Sequence, residues 1–282
     1  MLRKGTKAKA DRPVIVMLHG SGSSSAIFGI QTHFVARELS RTYDLAFLDA
    51  PTPCAPGPGV LPLFAGMPGY YRWLTTIDHP ASNTMRVAEL FNVARYIETQ
   101  LDTQGINPAK VEAFFGFSQG ALVAMAMLGL RQAGQSAWDN LRFCVAIGAG
   151  TTGNEAQLAG IEKMFAMLSG LVGRGDGKFL GYTAHAVGTK DLWYGDGKRL
   201  ATMCAGDRTM SMDYGDGHVV PRQKADVSRL LMLIDSIDRK SKSGAFSTED
   251  SSSAVLNSLP SVLDGGDIEQ AMAMLAEYGI TV

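Results

Sequence analysis

The segment that most constrains the fold of this chain is "VEAFFGFSQGALVAMAMLGLRQ", residues 111–132. The apolar run Val111–Phe117 ends at Ser118, which stands between Gly116 and Gly120, and small and apolar residues follow. A simple strand-to-helix turn would explain the glycines, because glycine tolerates backbone angles that other residues avoid. The G-x-S-x-G pattern is also typical of a nucleophile elbow, a turn that lifts a serine above the sheet of an α/β fold. The surrounding sequence has to decide between the two interpretations.

Strand-like apolar runs alternate with helical patterns along the chain. Continuous apolar runs indicate strands buried on both faces, whereas apolar residues at helical spacing indicate amphipathic helices. The predicted strands are Pro13–Gly20, Tyr43–Pro51, Val111–Phe117, Arg142–Gly150, Tyr182–Gly188 and Thr209–Gly215. The predicted helices cover residues 30–40, 83–104, 121–132 and 221–240. This alternation predicts an α/β protein with a doubly wound, mostly parallel sheet, in which reactive groups gather at the carboxyl ends of the strands.

The composition is that of a globular protein with one large α/β domain or two small ones. The 282 residues are 46% hydrophobic and 19% charged, which argues against disorder. A net charge of −1 gives no basic surface for nucleic acid or anionic membrane, and no apolar stretch is long enough to span a bilayer. The basic start is not followed by an apolar signal-peptide core, and three widely spaced cysteines predict neither a zinc site nor a disulfide framework. We therefore expect a soluble, cytoplasmic protein that binds neither nucleic acid nor membrane.

Two insertions and two terminal segments stand apart from the alternating pattern. We expect a hydrolase domain over residues 13–240, an N-terminal extension over 1–12, and a serine-rich linker and C-terminal tail over 241–282. The first insertion, residues 51–74, is rich in proline and glycine and also carries large apolar side chains. The second, residues 153–181, has apolar residues at helical spacing. Both insertions are expected to form a rim or lid over a substrate site.

The two insertions also supply the predicted substrate contacts. The first leaves the sheet at the carboxyl end of a strand and should arch over Ser118, and the second offers another apolar surface. Two such walls would make a largely apolar pocket with few polar groups, suited to a medium or long chain. The alternative, that both segments simply pack on the body of the domain, stays open. The side chains predicted to contact substrate are Leu61, Phe64, Tyr70, Trp73 and Phe165.

A catalytic serine needs a base, and the base needs an acid that fixes its tautomer. In α/β-hydrolases these partners follow in the order serine, Asp or Glu, then histidine. Of the two histidines after Ser118, His185 lies within a predicted strand, whereas His218 lies in a glycine-rich loop before the last helix, where a base is expected. For the acid, Asp191 follows a strand and a glycine turn at the carboxyl edge of the sheet. Asp207 is the rival, but it leads into a strand and should lie at the opposite edge.

The oxyanion of a tetrahedral intermediate needs backbone N–H donors. One is expected from Gln119, directly after the nucleophile, and the other from the loop "HGSGSSS" after the first strand, with Ser21 favoured over Gly22. His19 is expected to shape this loop and not to transfer protons. The loop has neither a G-x-G-x-x-G nor a G-K-[ST] pattern, which argues against a phosphate site. This chemistry calls for no metal and no organic cofactor.

Five stretches of the chain together resemble the fungal serine hydrolase family of α/β-hydrolases: "VIVMLHGSGSS", "FLDAP", "FFGFSQGA", "HAVGTKD" and "GHVVP". The resemblance covers residues 13–237, most of the chain. That family includes stand-alone thioesterases of polyketide pathways, such as the one that serves lovastatin biosynthesis. The resemblance implies an α/β-hydrolase fold with Ser118 as nucleophile, Asp191 as acid and His218 as base. It also implies release of acyl chains from carrier proteins, or hydrolysis of short esters.

The sequence therefore predicts a serine hydrolase that cleaves acyl thioesters or esters through an acyl-enzyme. On the family resemblance, the substrate is a polyketide or fatty acyl chain in a secondary-metabolite pathway, and an acyl carrier protein is a candidate partner. Three alternatives stay open. One is a cyclase, in which a hydroxyl or carbanion of the substrate replaces water; another is a general carboxylesterase; the third is a hydrolase-fold protein that only binds its ligand.

Overall fold

The structure is a computed structural model that describes residues 12–77, 81, 83–132, 138–150, 155–170, 178–179 and 181–244. Its strands are β1 Val14–Leu18, β2 Asp44–Leu48, β3 Thr52–Pro53, β4 Tyr71–Arg72, β5 Val111–Phe117, β6 Phe143–Ile147, β7 Tyr182–Gly188 and β8 Thr209–Tyr214. Six of them form one parallel sheet in the order β2-β1-β5-β6-β7-β8. The two short strands β3 and β4 pair antiparallel beside it. The parallel α/β sheet predicted from the sequence is confirmed.

The described helices are α1 Ser25–Gln31, α2 His33–Leu39, α3 Asn83–Thr103, α4 Gln119–Gln132, α5 Glu155–Gly170, α6 Tyr194–Thr202 and α7 Lys224–Ser243. The single helix predicted over residues 30–40 is in fact two helices that meet at Thr32. The Thr32 hydroxyl donates to the carbonyl of Phe28 at 2.6 Å, which helps to end the first of them. The sequence does not predict α6, because Gly195 and Gly197 within it have low helix propensity.

Helices cover both faces of the sheet and so create two cores. Alternate residues of a strand point to opposite faces. In β1, Val16 and Leu18 pack into a core with α3, α4 and α5, whereas Ile15 and Met17 pack into a second core with α1, α2 and α7. Since all five residues of β1 are buried, the strand reads as a continuous apolar run.

The loops that position functional groups leave the same edge of the sheet. Because the strands are parallel, the carboxyl ends of β1, β5, β7 and β8 lie at the same edge of the sheet. Residues 19–24 follow β1, Ser118 follows β5, Asp191 follows β7 shortly after its end, and His218 follows β8. Four loops that are far apart in sequence therefore meet at one place, as expected for an open α/β sheet.

Several predicted segments fall wholly or partly outside the described residues. They are residues 1–11 of the predicted extension, residues 245–282 of the predicted tail, and residues 153–154, 171–177 and 180 of the second insertion. Arg12 lies within the described part and pairs with Asp44 of β2 at 2.6 Å. Helix α7 continues to Ser243, so the first residues assigned to the linker are helical. Among the helices described, none combines the length and hydropathy needed to cross a membrane.

Candidate active site

Ser118 lies on a sharp turn between β5 and α4. Its backbone φ is 54°, in the left-handed region that favours glycine. The two glycines of the pattern are sterically required. A Cβ atom at Gly116 would overlap the carbonyl oxygen of Gly120, and a Cβ atom at Gly120 would overlap that of Leu18. The turn therefore combines the strain and the close packing that a nucleophile elbow needs.

The structure brings Ser118, His218 and Asp191 into one chain of hydrogen bonds. The Nε2 atom of His218 lies 3.0 Å from Oγ of Ser118, and its Nδ1 atom lies 2.7 Å from Oδ2 of Asp191. The Asp191 side chain is 1% exposed, and its other oxygen accepts the backbone N–H of Trp193 at 2.9 Å. When Nδ1–H donates to the carboxylate, Nε2 has a free lone pair that can accept the serine proton.

Two aromatic rings hold the imidazole of His218 in place. The ring of Trp193 meets it edge-on with centroids 4.3 Å apart, and the ring of Phe117 lies tilted at 4.8 Å. A Cβ atom at Gly188 would overlap the carbonyl oxygens of the loop that carries His218, so glycine at this position lets that loop approach the end of β7. Trp193 is not among the site residues predicted from the sequence, and its position two residues after Asp191 is the signal that could have identified it.

The rival residues lie away from Ser118. Asp207 is in a short turn before β8, at the opposite edge of the sheet, and its side chain is 81% exposed. His185 is buried inside β7 with its Nε2 atom 3.7 Å from Sγ of Cys204. Burial lowers the pKa of His185 to about 4, so its imidazole is neutral at pH 7. Neither residue can take part in proton transfer at Ser118.

The two residues predicted to donate backbone N–H groups to an oxyanion are Gln119 and Ser21. Gln119 is the first residue of α4, and the first N–H groups of a helix have no partner within the helix. Gln119 and Ser21 line the same cavity as Ser118. The amide of Gly22, the second candidate in this loop, donates to the carbonyl of Tyr71 at 2.9 Å and is therefore occupied. The preference for Ser21 over Gly22 therefore stays a prediction that agrees with this contact.

The side chain of Gln119 has a role that the sequence did not reveal. Its Oε1 atom accepts the backbone N–H groups of Trp73 at 2.7 Å and Leu74 at 3.2 Å, and its Nε2 atom donates to the carbonyl of Leu74 at 2.9 Å. These bonds join the nucleophile turn to the end of the first insertion, 45 residues away in sequence. We call this group of three hydrogen bonds the Gln119 clamp.

His19 fixes the start of the loop after β1. Its Nδ1 atom is 2.7 Å from the carbonyl oxygen of Gly20, to which it donates, and its Nε2 atom accepts the N–H of Ala50 at 3.0 Å. Its own carbonyl accepts the indole N–H of Trp73 at 2.8 Å. Burial lowers the pKa of His19 to about 4. The neutral ring therefore ties the loop to the end of β2 and to the first insertion.

A cavity of about 360 Å³ opens over Ser118. Residues 54–60 of the first insertion form one wall of it, and the other lining residues include the loop after β1, Ile77, Trp193 and His218. Its volume lies within the range of about 300–1,000 Å³ that is usual for small-molecule sites. The first insertion therefore does border the site, mainly through its first half, with Arg72 as a further contact from its second half.

The five side chains predicted to contact substrate do not line this cavity, and the prediction is corrected at these positions. Trp73 and Phe165 are buried in the core between the sheet and α3, α4 and α5. Phe64 packs against Ile27 of α1, and Leu61 is 48% exposed at the surface. For Phe64 and Trp73 the burial has a simple cause: an apolar side chain on a loop packs on the nearest apolar surface.

Tyr70 completes this group of corrected positions. Its hydroxyl donates to the carbonyl of Phe64 at 2.9 Å, within the insertion itself. Its ring packs against the small cluster of Ile27, Val60 and Phe64. Of that cluster, Val60 is the residue that lines the cavity.

The geometry of the site agrees with a comparison to known protein families. A family model described as Serine hydrolase (FSH1) matches residues 10–230, which is most of the chain. The chain belongs to the serine hydrolase (FSH1) family. The family resemblance predicted from the five sequence stretches is thereby confirmed, and the match extends over all four loops that meet at Ser118.

Curated relatives of this FSH1-family chain carry esterase and thioesterase names. It is 28% identical over 233 residues to thioesterase FSL2 from Gibberella zeae, which covers 79% of the chain and 91% of FSL2. It is 35% identical over 132 residues to esterase mlcF from Penicillium citrinum, covering 45% and 53% of the two chains. It is 33% identical over 134 residues to dihydromonacolin L-[lovastatin nonaketide synthase] thioesterase from Aspergillus terreus, covering 46% and 52%. In the last two comparisons the chain spans about half the length of the relative.

Proposed function

We propose that this protein is a serine hydrolase that cleaves acyl thioesters or esters through an acyl-enzyme. The observation that carries the proposal is the unbroken hydrogen-bond chain from Ser118 through His218 to buried Asp191, at 3.0 Å and 2.7 Å. A protein that only binds its ligand has no need of an activated serine on a strained turn. We further propose that residues 13–240 form the hydrolase domain, with 1–12 and 241–282 as extensions of it.

The mechanism follows from these contacts. Ser118 attacks the acyl carbonyl while His218 takes the serine proton, and Asp191 stabilises the imidazolium that forms. The backbone N–H groups of Gln119 and Ser21 bind the oxyanion of the tetrahedral intermediate. His218 then gives its proton to the departing thiol or alcohol, which leaves Ser118 acylated. Water, deprotonated by His218, attacks the acyl-enzyme, and a second tetrahedral intermediate releases the free acid.

For the acyl group, we propose a polyketide or fatty acyl chain released from a carrier protein in a secondary-metabolite pathway. The names of the relatives support this choice, since one is a thioesterase of lovastatin nonaketide synthase and another is the thioesterase FSL2. The cavity over Ser118 is also large enough for a small-molecule acyl chain. The carrier protein as partner and the cytoplasmic location stay predictions.

The test combines covalent labelling with matched triad variants. Purified wild type should react with a fluorophosphonate probe and hydrolyse acyl thioesters of a small thiol, and Ser118→Ala should lose both properties. Asp191→Asn should lower kcat by about 10⁴, because the imidazole then holds the wrong tautomer. Asp207→Asn is the matched control and should keep wild-type activity, because Asp207 lies at the other edge of the sheet.

Two outcomes would contradict the proposal. One is unchanged turnover in Ser118→Ala, and the other is a greater loss in Asp207→Asn than in Asp191→Asn. Analysis of the product by mass spectrometry separates hydrolysis from cyclisation, since only hydrolysis adds water to the released chain.

A further inference from the structure

The cavity over Ser118 contains polar groups that the hydrolase mechanism does not use. Ser23 and Gln31 both line it. Within the part of the chain that the structure describes, Oγ of Ser23 and Oε1 of Gln31 have no hydrogen-bond partner, and both atoms are shielded from bulk solvent. Ser23 as a whole is only 3% exposed. Leaving buried polar atoms unpaired is unfavourable, so such atoms in a cavity wall point to a ligand that pairs with them.

The local structure explains why these two side chains face the cavity. Ser24, next to Ser23, is the N-cap of α1, and its Oγ accepts the N–H of Ile27. The backbone carbonyl of Ser23 accepts the N–H of Tyr71 at 2.8 Å, which fixes the main chain while leaving the hydroxyl unused. The hydroxyl of Ser23 is therefore not needed to start the helix.

Gln31 lies at the other end of α1. It is four residues after Ile27, so the two side chains share one face of the helix. Ile27 packs against Val60 of the first insertion, which itself lines the cavity. This face of α1 therefore packs against the first insertion, and Gln31 and Val60 both line the cavity.

The two unpaired atoms differ in the hydrogen bonds that they can form. The Ser23 hydroxyl can donate or accept, whereas Oε1 of Gln31 only accepts. A hydrocarbon chain would pair with neither atom. A ketone oxygen only accepts hydrogen bonds, so it could pair with the Ser23 hydroxyl but not with Oε1 of Gln31. A hydroxyl group accepts from Ser23 and donates to Gln31, and so satisfies both. Neither of these oxygens has to break a hydrogen bond of its own to turn toward a ligand.

We propose that Ser23 and Gln31 form a subsite for a hydroxyl group on the acyl chain of the substrate. This proposal rests on the proposed hydrolase function and narrows its substrate to hydroxylated acyl chains. Arg72 also lines the cavity and has interactions of its own. Its charge makes an anionic acyl group the principal competing ligand chemistry, which the test has to distinguish.

The test is a comparison of kcat/KM across thioesters of matched length. The panel contains plain octanoyl, octanoyl with one hydroxyl at carbon 3, 5 or 7, the 3-oxo chain, and the chain with a terminal carboxylate. Wild type should prefer at least one hydroxylated chain over plain octanoyl by about tenfold, the effect of one or two good hydrogen bonds. Ser23→Ala and Gln31→Met should each lower that ratio by about threefold or more.

Two control variants bracket the result. Ser25 lies near Ser23 in sequence but does not line the cavity, so Ser25→Ala is the control for Ser23→Ala. Gln104→Met makes the same exchange as Gln31→Met at an exposed glutamine. Both should keep the wild-type ratio. Fluorophosphonate labelling of every variant checks that the fold and the triad are intact independently of the acyl chain.

Three outcomes would overturn the subsite. Wild type could show no preference for any hydroxylated chain, the preference could survive both Ser23→Ala and Gln31→Met, or the 3-oxo or carboxylate chain could be the favoured substrate. Failure of the proposed function itself looks different, because wild type would then neither label with fluorophosphonate nor turn over plain octanoyl thioester.

Discussion

The Gln119 clamp offers a direct test of how the first insertion is attached to the catalytic turn. In Gln119→Met the side chain keeps its length and loses both polar atoms, while the backbone N–H proposed for the oxyanion stays. The N–H groups of Trp73 and Leu74 then lose their acceptor, and the carbonyl of Leu74 loses a donor. At about 1 kcal/mol of net stability for each hydrogen bond, three bonds amount to about 3 kcal/mol.

The functional effect should differ from that of a triad mutation. Residues 54–60, which form one wall of the cavity, and Trp73 belong to the same insertion. Loosening the end of that insertion should weaken binding of the acyl chain, so we expect KM to rise by about tenfold with a smaller change in kcat. This split is typical of lost substrate binding with the transition-state contacts preserved.

The assay is urea unfolding combined with steady-state kinetics, with Gln104→Met as control. Gln104 is exposed and makes one long contact, 3.4 Å from its Nε2 atom to the carbonyl of Phe47, so its loss should change stability by less than about 0.5 kcal/mol. If Gln119→Met unfolds at the same urea concentration as wild type with the same KM, the clamp does not attach the insertion and the reasoning fails.

Three further predictions concern strain, close packing and pH. Ser118→Gly and Ser118→Ala should both be inactive. The glycine variant should be more stable by about 1 kcal/mol, because glycine adopts the φ of 54° without backbone strain. Equal melting temperatures of the two variants would contradict this prediction. Gly120→Ala should destabilise the protein by about 2 kcal/mol or more, because its Cβ atom would overlap the carbonyl of Leu18. Gly195→Ala in α6 meets no neighbour within 4 Å and should be neutral or stabilising. Similar losses of stability in the two variants would refute the steric argument. Burial lowers the pKa of His19 and His185 from 6.5 to about 4. Between these pH values the unfolded chain binds protons that the folded chain excludes. The contribution of the two neutral rings to the free energy of unfolding should therefore be fully present above pH 6.5. It should decrease as the pH falls toward 4, by up to about 1.4 kcal/mol per pH unit for each histidine. Urea unfolding at pH 7.5 and 5 measures the slope, and a flat profile would show that these rings are not buried neutral.

Much of the fold was predictable because its sheet is buried on both faces. Strands such as β5 and β7 carry mostly apolar residues, and their predicted bounds agree with the observed ones. The candidate triad could be proposed from chain order alone, since parallel strands bring Ser118, Asp191 and His218 to one edge. The structure places these three side chains within hydrogen-bond distance, and their catalytic roles stay a proposal.

The features that could not be predicted from the sequence depend on contacts between distant residues. The Gln119 clamp joins atoms 45 and 46 residues apart, and no local pattern indicates which backbone groups an amide side chain will reach. Helix α6 forms despite two glycines because Leu200 is buried in the main core and Gly197 packs against Val187. In α6, tertiary packing outweighs the low helix propensity of the glycines.

The first insertion shows how composition can predict the right segment and the wrong residues. Its large side chains attach it to the body of the domain, because burying Trp73 in the core removes more apolar surface from water than an open lid would. Its small residues then face the site. A Cβ atom at Gly57 would overlap the carbonyl of Ser21, and the amide of Gly57 donates to the carbonyl of Gly22 at 2.9 Å. Glycine at this position therefore lets the cavity wall approach the loop proposed to bind the oxyanion. On this side of the cavity the shape is set by main chain and small residues. Substitutions at Gly57 should therefore alter substrate choice more than truncation of Leu61 at the surface.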